Sequence, residues 1–120
     1  MSNEPRVSSA FQTFLTEAPG HAQAWMAAVQ ALDGASALDE KTGELAYLAV
    51  LAALRMESGV PFHVQMAKRA GATREEIISA VLVGLPAAGN QVIAALPAAL
   101  AAYDREIGRA SCRERVYACV

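Results

Sequence analysis

Two side chains carry the chemical possibilities of this chain. Glu44 sits early in a long apolar stretch, and His63 lies between Phe62 and Val64 in the segment that follows. Held together in an apolar pocket, an acid and an imidazole can pass protons, the imidazole acting as base and the carboxylate orienting it. Glu44 is the only charge between Lys41 and Arg55. At helical spacing residues 44, 47, 48, 51 and 55 share a face, so Glu44, Tyr47 and Arg55 can line one edge of such a pocket. Each residue also has a plainer reading. Glu44 suits a helix start, where the dipole favours acids, and His63 suits a core position bonded to a backbone carbonyl. His21, beside Pro19-Gly20, reads as an exposed residue near a helix start.

Other chemistries find little footing. The chain has two histidines, and HxxxH, HxxE and CxxC spacings do not occur between residues 1 and 105. No metal and no cofactor are therefore expected. A glycine-rich phosphate loop and a GxSxG elbow are equally missing from the sequence. Met26, Met56 and Met66 read as fillers of apolar space.

The elements that must position the pair read as helices throughout. Ser8 or Ser9 caps a short helix to Glu17, which Pro19-Gly20 breaks. A second helix is predicted from His21 to Leu32, ended by Asp33-Gly34. Asp39 caps the third and longest helix. Its run LAYLAVLAAL, Leu45 to Leu54, is apolar on every side and predicts a helix buried all round, stopped by Ser58-Gly59. Pro61 fits the first turn of a fourth helix ending at Ala70-Gly71. Thr73-Arg74-Glu75-Glu76 is a capping box that opens a fifth. Pro86 and the turn Ala87-Ala88-Gly89-Asn90 lead to a sixth, ending near Tyr103, with Pro97 expected to kink it or mark a packing site. The fold class is all-α, a bundle of about six helices.

The chain has 120 residues, 54% hydrophobic and 18% charged, with a net charge of −2. The length suits one domain. The apolar excess predicts self-association, and without a basic patch no nucleic-acid partner is expected. The N-terminal MSNEPRVSS does not read as a signal peptide, so a cytoplasmic location is expected. Residues 77–103 form the longest uncharged stretch, but Pro86, Gly89, Asn90, Gln91 and Pro97 interrupt it, and no membrane span is expected.

Beyond Arg105 the helical spacing stops. EIGRASCRERV, Glu106 to Val116, resembles the in-frame translation of a sequencing adapter. The expected division is a domain over 1–105 and a non-native tail over 106–120. Both cysteines, Cys112 and Cys119, fall in that tail, so cysteine arithmetic does not apply to the domain.

Three pieces of the chain together resemble the carboxymuconolactone decarboxylase family, which includes the alkyl hydroperoxidase D-like proteins. They are LDEKTGELAYLAVLAAL, PFHVQMAKRAGATREEIISAVLVG and PAAGN, within Leu38 to Asn90. The peroxidase branch of that family has a glutamate, a CxxC pair, and a histidine four residues beyond the second cysteine. The resemblance carries the glutamate to Glu44, the histidine to His63, and the two cysteines to Met56 and Gly59. Peroxide reduction of that type needs a thiolate and a resolving thiol, and neither is present at these positions. The decarboxylase branch implies cofactor-free proton transfer on a small oxo-acid or lactone, and usually also has a cysteine where Met56 stands. The site implied here is catalytic Glu44 and His63, lined by Tyr47, Met56, Gly59 and Phe62. The resemblance also implies a trimer or hexamer with a small-molecule substrate or ligand. A non-catalytic binding or scaffold relative on the same fold is the alternative.

Overall fold

The computed structural model describes residues 8–105, and the expected tail with its two cysteines lies outside them. Within the described residues the chain is all-helical. The helices are α1 (Ser9–Glu17), α2 (Pro19–Ala35), α3 (Glu40–Leu54), α4 (Val60–Arg69), α5 (Arg74–Leu82), the single turn α6 (Leu85–Ala88) and α7 (Leu96–Asp104). Two 3₁₀ segments, Glu57–Gly59 and Asn90–Ala95, join α3 to α4 and α6 to α7.

Caps decide where several of these helices begin. The Ser8 hydroxyl accepts from the Phe11 N–H at 3.1 Å. The Thr73 hydroxyl accepts from the Glu76 N–H at 3.1 Å while the Glu76 carboxylate accepts from the Thr73 N–H at 2.9 Å, a complete capping box. Proline sets other starts. Pro19 opens α2, which runs through Gly34 to Ala35, longer at both ends than the expected His21–Leu32. Pro97 occupies the first turn of α7 and kinks nothing, because the segment before it is already 3₁₀. A missing N–H is harmless in a first turn and costly in an interior one.

The core is built by α3, α4, α5, α7 and the second 3₁₀ segment. Leu48 and Leu51 of α3 meet Val60 and Val64 of α4, Ile77 and Val81 of α5, Val92, and Ala99 and Ala102 of α7. Alanines on α3 and α7 allow close approach. The α7 C-terminus is tied to α4 by side chains. Buried Gln65 donates to the Ala102 carbonyl, and Lys68 donates to the Tyr103 carbonyl at 2.6 Å. The Tyr103 hydroxyl in turn donates to the Ala72 carbonyl at 2.8 Å. These contacts satisfy carbonyls that a helix end leaves open. By contrast α1 packs mainly on α2, and Ala22 is the one buried residue of α2.

The expectation that α3 is buried all round is not met within the chain. Leu48, Leu51 and Ala52 are buried, whereas Val50 is 49% and Leu54 62% exposed. Among the described residues no helix covers this side of α3. The helix also stops earlier than Ser58-Gly59. It ends at Leu54, and Arg55 turns the chain at φ 61°. The Arg55 N–H reaches the Ala52 carbonyl at 3.2 Å and the Met56 N–H the Leu51 carbonyl at 2.9 Å, the paired bonds of a Schellman ending. Arg55 is the only non-glycine residue at positive φ among those described. A left-handed residue with a Cβ carries a cost that glycine avoids. Arg55→Gly is therefore expected to raise stability by about 1 kcal/mol, read as a higher urea midpoint at unchanged slope.

Two ion pairs, one half-buried and one exposed, brace the bundle. Lys41 bonds Glu76 at 3.1 Å, and Arg74 grips Asp104 through two bonds at 3.0 and 3.2 Å. The Thr73 N–H, and then Lys41, hold the Glu76 carboxyl below its usual range, and Arg74 does the same for Asp104. Carboxyls lowered in the folded state stabilise it above their unfolded pKa, near 4, and that contribution is lost as pH falls through the folded value. Thermal melts at decreasing pH should show Tm dropping below about pH 4. Glu76→Gln should remove part of that drop.

Candidate active site

The acid and the imidazole meet. Glu44 is the fifth residue of α3 and His63 the fourth of α4. The short Arg55–Gly59 connection turns the chain back, so that α4 lies along α3. The Glu44 Oε1 accepts from His63 Nδ1 at 2.7 Å. That length belongs to a charge-assisted hydrogen bond. The His63 side chain is 4% exposed and that of Glu44 17%. The plainer reading, a histidine bonded to a backbone carbonyl, does not hold. Nor does Glu44 serve merely as a helix-start charge.

Two aromatic rings hold the imidazole in place. The Tyr47 ring lies 4.4 Å from it, tilted by 45°, and Phe62 meets it edge-on at 5.3 Å and 85°. Tyr47 is one turn beyond Glu44 on the same face of α3, and Phe62 is buried at 2% exposure. Contact with Glu44 and two rings leaves the imidazole little freedom to turn. With Nδ1–H given to the carboxylate, Nε2 of a neutral ring is the bare acceptor. That atom is buried, below 1 Å² of exposure, and has no hydrogen-bond partner among the described residues. The chemistry open to the pair is thus uptake of a proton at Nε2, with Glu44 stabilising the charge that results.

The remaining expected residues are placed differently. Met56 is half exposed at the turn between α3 and α4, outside the ring cluster. Gly59 is one helical turn before His63 and faces Leu51 rather than the imidazole. A Cβ built there would lie 3.5 and 3.6 Å from the Leu51 methyl groups, an ordinary contact, so the position has room for a side chain. Arg55 does not join the pair; it is exposed, past the end of α3. At the expected apolar pocket, His63 Nε2 is buried. A shallow groove of about 600 Å³ does exist elsewhere, between α1 and α2, lined by Leu15, Pro19, Met26 and neighbours. None of the expected site residues touches it. What sequence reading missed is the burial of Nε2. Neighbouring Val60, Val64 and Leu48, all fully buried, were the available signal.

Among the described residues no group of three or more His, Cys, Asp or Glu could hold a metal ion, and no helix is long and apolar enough to cross a membrane.

Residues 19–101 match the carboxymuconolactone decarboxylase family. The chain belongs to that family. No curated protein and no solved structure matches it. The family match takes in α2 through most of α7 and contains both Glu44 and His63. At the two positions where the resemblance to the peroxidase branch carries thiols, this member has a thioether at Met56 and a hydrogen at Gly59.

The Glu44–His63 bond is also structural. Removing the carboxylate leaves Nδ1–H buried beside an already unpaired Nε2, and an unsatisfied buried donor costs about 1–3 kcal/mol. Glu44→Ala should lower unfolding stability by about that amount in urea titration, whereas Glu44→Gln, whose amide oxygen still accepts, should lose less.

Proposed function

We propose that this member of the carboxymuconolactone decarboxylase family is a cofactor-independent enzyme that moves a proton on a small oxo-acid or lactone. The observation that carries the reading is the 2.7 Å bond between Glu44 and buried His63. His63 Nε2 takes a proton from carbon next to the substrate carbonyl. The C–H electron pair moves into an enolate, and the proton returns from the imidazolium to another atom of the substrate. Glu44 touches no substrate atom in this scheme; it fixes the ring and balances its transient charge. Because Nε2 is sealed, substrate reaches it only when neighbouring side chains move. The short Glu57–Gly59 turn beside the site has no side-chain cap.

A second reading is a small-molecule-binding or scaffold relative without turnover, and the burial of Nε2 is the observation that favours it. Thiol peroxidase activity is the weakest reading, since Met56 and Gly59 supply neither thiol. A trimeric or hexameric assembly in the cytoplasm belongs to the proposal. The exposed apolar side chains Val50, Leu54, Val83, Ile93, Trp25 and Leu32 support self-association.

Solvent deuterium exchange into small lactones and oxo-acids separates the two leading readings. Turnover by the full chain, reduced about 10²–10⁴-fold in His63→Ala and strongly in Glu44→Gln, is the expected result. Exchange that survives both substitutions removes these residues from the mechanism. Sedimentation analysis should report a mass above the monomer, lowered by Val50→Glu with Leu54→Glu.

A further inference from the structure

We propose that α2 of a second copy of this chain packs on the exposed side of α3, so that the outer wall of the Glu44–His63 site is completed between copies. This rests on the self-association read above and not on turnover. The first observation is that α2 lacks most of what holds a helix in water. It has 17 residues and no side-chain cap at its start. Asp33 is its only Asp, Glu, Lys or Arg, so no ion pair along the helix supports it. Ala22 is its one buried residue, and it packs on α1 but only marginally on the rest of the described bundle. Residues 31–40, which include its last turn, are exposed without a break. An isolated helix of this length is marginal, and most helical stability comes from packing an apolar face. Among the described residues only α1 supplies such packing.

The second observation is that the chain displays two matching apolar stripes. Trp25, Val29 and Leu32 recur at i, i+4 and i+7 along α2, with Trp25 46% and Leu32 69% exposed. Tyr47, Val50 and Leu54 recur at i, i+3 and i+7 along α3, with Val50 and Leu54 exposed. Both spacings gather their residues on one side of a helix. No Asp, Glu, Lys or Arg occurs between Pro19 and Leu32, or between Leu45 and Leu54. That composition gives a charged partner nothing to pair with and suits the apolar centre of an interface between copies. The link 36–39 does not fold the chain's own α2 onto these α3 residues, which stay open. Each copy thus has one arm to give and one platform to receive it, and a reciprocal pair is closed. An α2 face is roughly 26 Å long and 10 Å wide. Two arms on two platforms cover about 1,000 Å², the area that a specific interface needs.

Tyr47 joins this surface to the site. It is half-buried at the edge of the α3 stripe, and its ring lies 4.4 Å from the His63 imidazole. A helix seated on Val50 and Leu54 covers the outer edge of Tyr47 as well.

Trp25 is the only tryptophan of the chain, so its fluorescence reports on the arm. On dilution of the full chain, its emission is expected to move to longer wavelength as the sedimenting mass falls. Leu54→Glu, on the other helix, should cause the same shift at concentrations where the unsubstituted chain stays assembled. A second measurement leaves Leu54 in place. Tagged Val29→Cys copies are co-expressed with untagged Val50→Cys copies, both carrying Cys112→Ser and Cys119→Ser, and treated with a short bismaleimide. Tagged and untagged chains should be joined, whereas Val29→Cys with Val83→Cys should give little product. Linking of position 29 to 83 in preference to 50 overturns the inference. So does a monomer, or an assembly, whose Trp25 emission moves neither on dilution nor in Leu54→Glu. Deuterium exchange that depends on His63 would in either event leave the proton-transfer reading standing.

Discussion

One hydrogen bond organises this molecule: the carboxylate of α3 on the imidazole of α4. It ties together two helices that also supply much of the core, and it does so with polar groups in an apolar setting. A buried imidazole needs partners, and a buried carboxylate needs compensation. Glu44 and His63 meet both needs for each other, except at Nε2. That unsatisfied atom, at the centre of the pair, is where function is sought. Tyr47 and Phe62 matter for the same reason. They fix the plane of the ring and help bury it, which strengthens the bond.

The family assignment and the site geometry bear on different questions. Membership rests on residues 19–101 and fixes the kind of domain. It does not fix the reaction, because the fold serves more than one chemistry. Here the residues narrow the choice. Met56 and Gly59 put no thiol at the two positions to which the resemblance carries the cysteines, although the space for a side chain at Gly59 remains. The acid–imidazole contact is what the described residues hold at this site, and the proton-transfer proposal rests on it.

Much of this was legible in the sequence, and the misses have physical causes. Ser8 and the Thr73–Glu76 box announced helix starts because capping is local chemistry that needs no tertiary partner. Pairing of Glu44 with His63 was visible as two isolated polar residues in neighbouring apolar helices. Pro97 was read as a kink since a proline inside an apolar run can either break a helix or begin one, and spacing does not distinguish them. Asp33-Gly34 failed to stop α2 because a turn-forming pair is only a preference. The exposed side of α3 could not be foreseen: an all-apolar run such as LAYLAVLAAL gives no polar stripe to say which side lacks a neighbour. Arg55 at positive φ, in a place where glycine is usual, was likewise invisible. So was the closure of the site over Nε2, which depends on how Tyr47, Phe62 and their neighbours pack.

The central claim is that Glu44 holds the His63 proton on Nδ1 and leaves Nε2 bare. The most direct measurement is the ¹⁵N spectrum of the His63 ring in the unliganded full chain near neutral pH, with Glu44→Ala beside it. The expected result is a single neutral tautomer with Nδ1 protonated, and loss of that preference in the variant. A ring protonated on Nε2 alone, or a tautomer indifferent to Glu44, would contradict it.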